Sequence, residues 1–234
     1  GQDKTVIINK NDKYYNRWIK KNTSNNIKTI SITDDADYSM LNLSADRMTV
    51  KTPYENKFEF KINNHESFNL LNILFSIGLA CEAGARSNHI IAAFNNYIDV
   101  KGRSKIYKGI NNSNIIDSSY NANPASFEAS IDLLVSMKSK SWVIMGQMGE
   151  LGDNSEKYHT ELALYAAKKG VDKLFVLTDH NEAISKAFGK GAYLFDNKSD
   201  LISKLKSLMQ NNTNILVKAS RYMKFETIVD ELIS

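Results

Sequence analysis

The chain has 234 residues, 42% of them hydrophobic, and a formal charge of +4 from 30 basic and 26 acidic side chains. That is enough apolar content for one large domain or two small ones. Its basic residues are spread without the clustered stripe of a nucleic-acid surface, and no apolar run approaches the roughly 20 residues that cross a bilayer. With no signal-like start either, the expectation is a cytoplasmic protein with neither nucleic acid nor membrane among its partners. The single cysteine, Cys81, lies in an apolar stretch and reads as a small buried side chain.

Residues 5–8 form a β-branched run ending in Asn9, Asn11 and Asp12, and helix-compatible spacing follows over 14–20. A second strand is predicted over 28–32. The acidic run 34–37 offers oxygens that hard cations favour, but it lacks the spacing of a calcium loop and reads as a solvated turn. Over 38–62 apolar and polar residues alternate, as in Met48-Thr49-Val50 and Phe58-Glu59-Phe60, which predicts antiparallel strands with one wet face. Helical spacing through Phe68, Leu71, Leu74, Phe75 and Leu79 predicts a buried helix over 67–82, stopped by Gly84. His65 and Asn69, four apart, fall on one side of its first turn; by residue type alone His65 is a cap or a packed polar group. A helix over 87–97 leads into a linker at 99–104.

The most informative stretch is 115–129. A short apolar strand over 114–116 breaks into polar side chains, passes Pro124 and continues as an amphipathic helix with Phe127, Ile131, Leu134 and Val135 on one face. Taken alone, its Asp, Ser and Asn residues describe a solvated turn; at the carboxyl end of an α/β strand they describe a ligand site. Beyond it, strands at 141–145, 173–177, 191–195 and 214–217 alternate with helices at 155–169, 181–188, 198–209 and 222–232. Such alternation needs crossover helices and predicts a mainly parallel sheet. Gly146, Gly149 and Gly152 follow the 141–145 strand at a spacing unlike the dinucleotide fingerprint. Lys218-Ala219-Ser220-Arg221 also follows a strand and precedes a predicted helix, where the positive end of the dipole disfavours basic residues unless an anion is present.

Asp117 followed by Tyr120-Asn121-Ala122-Asn123-Pro124 resembles the signature that opens the C-terminal domain of Mur ligases, in particular the MurF type, which joins D-alanyl-D-alanine to UDP-N-acetylmuramoyl-tripeptide in peptidoglycan synthesis. Asn9 with Asp12, His65 with Asn69, Gly102-Arg103, the run from Met145 to Gly152, and Lys218 to Arg221 agree with it in order. The resemblance implies an α/β chain in which residues 1–101 are the C-terminal half of the central ATPase domain. Residues 102–234 would be the Rossmann-like C-terminal domain with a mainly parallel sheet. It also implies ATP-dependent amide formation through an acyl phosphate. No Gly-x-x-x-x-Gly-Lys-Ser/Thr run occurs, so the phosphate cradle and the Mg2+ ligands are expected upstream, and the polypeptide alone is expected to be inactive.

Carried over residue by residue, the resemblance assigns ATP contacts to Asn69, whose amide suits an adenine edge, and to its neighbour His65. Arg103 would lie near the phosphates, with Asp117 and Ser118 toward the ribose. Tyr120, Asn121, Asn123, Gln147, Glu150 and Ser220 become contacts for the peptide substrates. Lys218 and Arg221 become the catalytic cations that neutralise charge building on phosphate and carboxylate. No metal ligand is assigned within the chain.

Four positions depart from the family pattern. Asn63 and Ala219 stand where glycine is usual, Gln147 where aspartate is frequent, and Ser118 where the second of two adjacent acids would accept from the ribose hydroxyls. The last is expected to reduce nucleotide affinity, with Asp117 as a substitute from one position earlier or Ser118 as a weaker partner. His159, four residues after Ser155, is expected either to face the cleft or to lie on the surface. The alternatives are a non-catalytic Mur-ligase-like binding or scaffold module, and a related ligase with another acceptor.

Overall fold

A computed structural model describes residues 4–23, 25–44, 46–62, 67–96, 101–209 and 211–233. The chain divides into two compact units, residues 1–98 and 99–234. In the first, β1 (Thr5–Asn9), β2 (Asn26–Ser31), β3 (Tyr38–Leu43), β4 (Arg47–Lys51) and β5 (Phe58–Lys61) form one sheet in chain order. The first three pair in parallel, with α1 (Tyr15–Lys21) between β1 and β2, and β3 to β5 pair antiparallel as their alternation predicts. The apolar side of that alternation, with Met48, Val50, Phe58 and Phe60, packs with Leu70, Leu74 and Ile77 of α2 (Ser67–Glu82) and Ile90 of α3 (Ser87–Asn95). Cys81 is buried in the same core, which raises its thiol pKa and suits an inert packing role.

The acidic turn is spent internally. Asp34 accepts from Asn11 Nδ2 at 2.6 Å, Asp35 meets Lys51 at 2.8 Å, and Asp37 accepts from Thr29 N at 2.8 Å. Among the described residues no cluster suited to a metal ion occurs.

The second unit contains β6 (Lys105–Gly109), β7 (Ser113–Ser118), α4 (Pro124–Ser136), β8 (Lys140–Gly146), α5 (Ser155–Lys168), β9 (Lys173–Leu177), α6 (Asn181–Phe188), β10 (Ala192–Leu194), α7 (Lys198–Leu208), β11 (Thr213–Lys218) and α8 (Glu226–Leu232). Its sheet runs β10-β9-β8-β11-β7-β6, parallel throughout except for the edge strand β6, which pairs antiparallel with β7. The predicted mainly parallel sheet is therefore observed. The sequence reading left β6 without an assignment, because Lys105-Ile106-Tyr107-Lys108-Gly109 is half polar; that composition suits an edge.

Strand residues alternate between two cores. Ile116, Val143, Met145, Leu174, Val176 and Leu216 pack under α4, α5 and α6. Ile115, Trp142, Ile144, Phe175, Ile215 and Val217 pack under α7 and α8. The helices α5 and α8 leave the neighbouring strands β8 and β11 toward opposite faces, and in open α/β sheets ligands bind at the carboxyl ends of such strands. Among the described residues no helix is long and apolar enough to cross a membrane.

Two predicted boundaries are corrected. The strand expected over 114–116 extends through Ser118, since Val217 and Lys218 of β11 continue the ladder opposite Asp117 and Ser118. The last helix starts at Glu226, not at residue 222. Arg221–Met223 form a 3₁₀ turn, and Lys224 follows in the left-handed region at φ 50°. Arg221 thus lies outside the α-helix, and the expected conflict with its dipole does not arise.

Candidate active site

Lys218, at the end of β11, stands opposite Ser118 of β7 and Met145 of β8, so three strand ends lie abreast. Lys218 is only 4% exposed; its Nζ donates to the Asn121 carbonyl at 3.1 Å and lies 6.0 Å from the Phe127 ring centroid. An aliphatic stem packed on carbon with an ammonium held on a carbonyl is a well-directed charge. Ala219 packs beside Gly146, where an added Cβ would lie 2.5 Å from the Ala219 Cβ and 2.5 Å from Phe225 Cζ. The methyl at 219 thus occupies space that the bare residue 146 leaves open.

The segments beyond β8 and β11 are joined by hydrogen bonds. Ser220 N–H donates to the Gln147 carbonyl at 3.0 Å, and Gly149 N–H donates to Ser220 Oγ at 2.8 Å. Gln147 donates through Nε2 to Ser155 Oγ at 3.3 Å and accepts at Oε1 from Asp179 N–H at 3.1 Å, so its side chain is engaged within the protein. Glu150 is exposed at the loop tip with φ 62°. His159 does not lie on the surface: it is fully buried and accepts the Met148 N–H at 2.9 Å. The i to i+4 spacing from Ser155, visible in the sequence, is what sets its ring over the Ser155 carbonyl at 2.7 Å.

On the β7 side, Asp117 is fully buried. Its Oδ1 accepts from Ser119 N at 3.1 Å and Ser119 Oγ at 2.6 Å, while Oδ2 has no hydrogen-bond partner. Ser118 Oγ lies 3.1 Å from Ser104 Oγ. Successive strand residues point to opposite faces, so Asp117 belongs with Ile115 and Ser118 with Ile116. Asp117 and Ser118 therefore present their side chains to opposite faces of the sheet.

Tyr120 N–H donates to the Gly102 carbonyl at 3.0 Å, and a Cβ at Gly102 would lie 2.8 Å from the Tyr120 nitrogen. With φ +85°, Gly102 also takes a conformation that side chains rarely adopt. Two guanidinium groups lie near the Tyr120 ring, Arg103 at 4.6 Å and Arg221 at 5.6 Å from its centroid. Arg221 also pairs with Glu226 at 3.1 Å.

Asn121 Oδ1 accepts from Ala122 N–H at 2.9 Å. Asn123 is spent on structure: its Oδ1 accepts from Ser126 N–H at 2.8 Å, and Ser126 Oγ accepts from Asn123 N–H at 3.2 Å, capping α4 with Pro124 in its first turn. In the other unit Asn69 is half-buried in the first turn of α2. His65 lies outside the described residues. Within the second unit, Arg103, Ser118, Tyr120, Gln147, Lys218, Ser220 and Arg221 gather at adjoining strand ends and their loops. Three of these side chains, Arg103, Lys218 and Arg221, are cationic.

The family model described as "Mur ligase, glutamate ligase domain" matches residues 102–221. Over 166 residues the chain is 34% identical to the UDP-N-acetylmuramoyl-tripeptide–D-alanyl-D-alanine ligase of Escherichia coli, a match covering 70% of this chain and 36% of that protein. A crystal structure of MurF from Acinetobacter baumannii superposes with a TM-score of 0.83 at 20% identity, covering 97% of this chain and 51% of that one. The MurF ligase from Thermotoga maritima in complex with ADP superposes at 0.77 and 20% identity, over 98% of this chain and 53% of that one. These likenesses in structure concern the fold. The chain spans between about a third and a half of the length of these relatives.

Proposed function

The chain belongs to the Mur ligase family, and we propose that it forms the adenine- and acceptor-binding part of a MurF-type ligase. The units at 1–98 and 99–234 then correspond to the later half of the central ATPase domain and to the C-terminal domain. The reaction is ATP-dependent amide formation between D-alanyl-D-alanine and UDP-N-acetylmuramoyl-tripeptide, in the cytoplasm. What supports this most is the placement of Lys218, level with Ser118 and Met145, beside the Arg103–Tyr120–Arg221 group.

ATP supplies the phosphoryl group that activates the carboxylate. Lys218, Arg103 and Arg221 fit the negative charge carried by phosphate and carboxylate, and Lys218 and Arg221 stabilise that charge as it builds. Asn69 faces the adenine, with His65 as its neighbour; Tyr120, Asn121, Gln147, Glu150 and Ser220 border the peptide substrates. Asn123 serves them indirectly, by fixing the start of α4.

Isothermal titration separates this reading from its rivals. Saturable binding of a non-hydrolysable ATP analogue and of D-alanyl-D-alanine is expected, with free glutamate ignored. Glutamate binding in place of the dipeptide would point to another acceptor, and binding of neither would leave a scaffold.

Ser118→Asp is a sharper test of the nucleotide side. A carboxylate on the face where Ser118 now meets Ser104 accepts more strongly than a hydroxyl, so affinity for the ATP analogue is expected to rise roughly tenfold. Asp117→Asn, on the opposite face, is expected to leave the ribose contact intact. An unchanged dissociation constant for Ser118→Asp would remove residue 118 from the ribose site.

A further inference from the structure

Both inner amides of the 147–149 loop donate to side chains. Met148 N–H donates to His159 Nε2 at 2.9 Å, and Gly149 N–H to Ser220 Oγ at 2.8 Å. Met148 is 1% exposed, so removing the imidazole would leave a buried donor without an acceptor, an arrangement that folded proteins avoid. His159 is itself pinned. Its Nδ1 lies 2.7 Å from the Ser155 carbonyl oxygen, which only accepts; Nδ1 therefore carries the proton and Nε2 presents the lone pair.

The bonds form a continuous path. From α5 it runs through His159 to Met148, and along the loop to Gly149. Ser220 then ties the loop to β11 twice, through its Oγ and through its N–H to the Gln147 carbonyl at 3.0 Å. Lys218 and Arg221 flank Ser220 in the same segment.

We propose that neutral His159 is a positioning residue that fixes the 147–149 loop and, through Ser220, sets Lys218 and Arg221 against it. Its importance for catalysis rests on the ligase reading above; the linkage itself does not.

The charge state of His159 follows from its surroundings. His180 and Asp179, from the connection between β9 and α6, face the ring, with the His180 centroid 5.4 Å away. His180 Nε2 lies 3.0 Å from Ser155 Oγ, and Glu156 of α5 lies 3.8 Å from His180 Nδ1. Burial is the largest influence and lowers the His159 pKa; the Ser155 carbonyl and Asp179 act against it, and His180 acts with it. Protonation would place an N–H at Nε2 facing the Met148 N–H, so the link breaks in acid. Since the folded pKa lies below the unfolded value of about 6.5, the unfolded chain takes up the proton first as pH falls. The contribution of His159 to stability is therefore complete above about pH 6.5 and declines below it until the native ring also protonates.

Amide exchange and imidazole nitrogen shifts, recorded on the whole chain, test the proposal. The amide resonances of Met148, Gly149 and Ser220 are expected to titrate with the His159 ring, below pH 6.5. His159→Leu is expected to cut exchange protection at Met148 and Gly149 about tenfold, while Ile116 and Val217 in the sheet stay protected. His159→Gln places a non-titrating oxygen near the position of Nε2 and is expected to restore protection and abolish the pH response. If the leucine variant does not fold, the titration of the unmodified chain decides. Amides that ignore His159 protonation, or that keep their protection in a folded His159→Leu chain, overturn the linkage. Titration of the unmodified chain with D-alanyl-D-alanine keeps the two readings apart, because failure to bind removes the site assignment and leaves the linkage standing.

Discussion

Gly146→Ala is expected to destabilise the second unit by about 3 kcal/mol, near the upper end of the usual cost of overpacking, and to lower its unfolding midpoint by roughly 10 °C. The new methyl group would sit 2.5 Å from both the Ala219 Cβ and Phe225 Cζ. Neither neighbour has room to yield: Ala219 and Phe225 are fully buried, and Ala219 follows directly on the central strand β11. The sheet would have to spread where β8 and β11 end. Trp142 gives a clean signal, being 1% exposed in this unit, whereas Trp18 in the other unit is 44% exposed. Gly149→Ala is the control. Its Cβ would meet Tyr222 Cε1 at 3.2 Å, and that ring is 62% exposed and free to turn aside, so a change within about 0.5 kcal/mol is expected. Equal midpoints for the two variants would show that β8 and β11 are not held as closely as described.

Lys218→Met is expected to lower amide formation by about two to three orders of magnitude, the usual cost of losing one preorganised group that stabilises developing charge. Methionine keeps an unbranched apolar side chain but cannot donate to the Asn121 carbonyl, which Lys218 meets at 3.1 Å. The assay is phosphate release dependent on D-alanyl-D-alanine, in a ligase that joins this chain to a phosphate-binding segment. The loss should fall mainly on kcat, because the charge builds as the acyl phosphate forms and collapses. A variant that turns over normally would take Lys218 out of the catalytic role and leave it a structural tie between β11 and the 119–123 turn.

Most of the second unit was legible because its strands are short apolar runs and its helices carry apolar stripes. Residues 173–177 and 181–188 were read with the bounds they have in the structure. Errors gathered where local pattern and pairing disagree. Asp117 and Ser118 look like turn residues, and only the ladder to Val217 and Lys218 keeps them in β7. Tyr222 looks helical, yet Lys224 takes a left-handed conformation that delays α8 to Glu226. The family resemblance singled out residues that lie at the strand ends, but it does not reveal which side chains are already engaged. Gln147 bonds Asp179, 32 residues on, which is a matter of tertiary geometry, whereas Asn123 caps α4 through Ser126, a local pattern that the sequence does carry.

Sheet order carries a consequence for synthesis. β11 is made after β7 and β8, yet it lies between them and pairs with both. Until residues 213–218 emerge, the earlier strands have bare inner edges that neither can cover for the other. Chains truncated before Thr213 should thus remain prone to aggregation and protease-sensitive, and the gain of resistance should come abruptly once residues 213–218 are present.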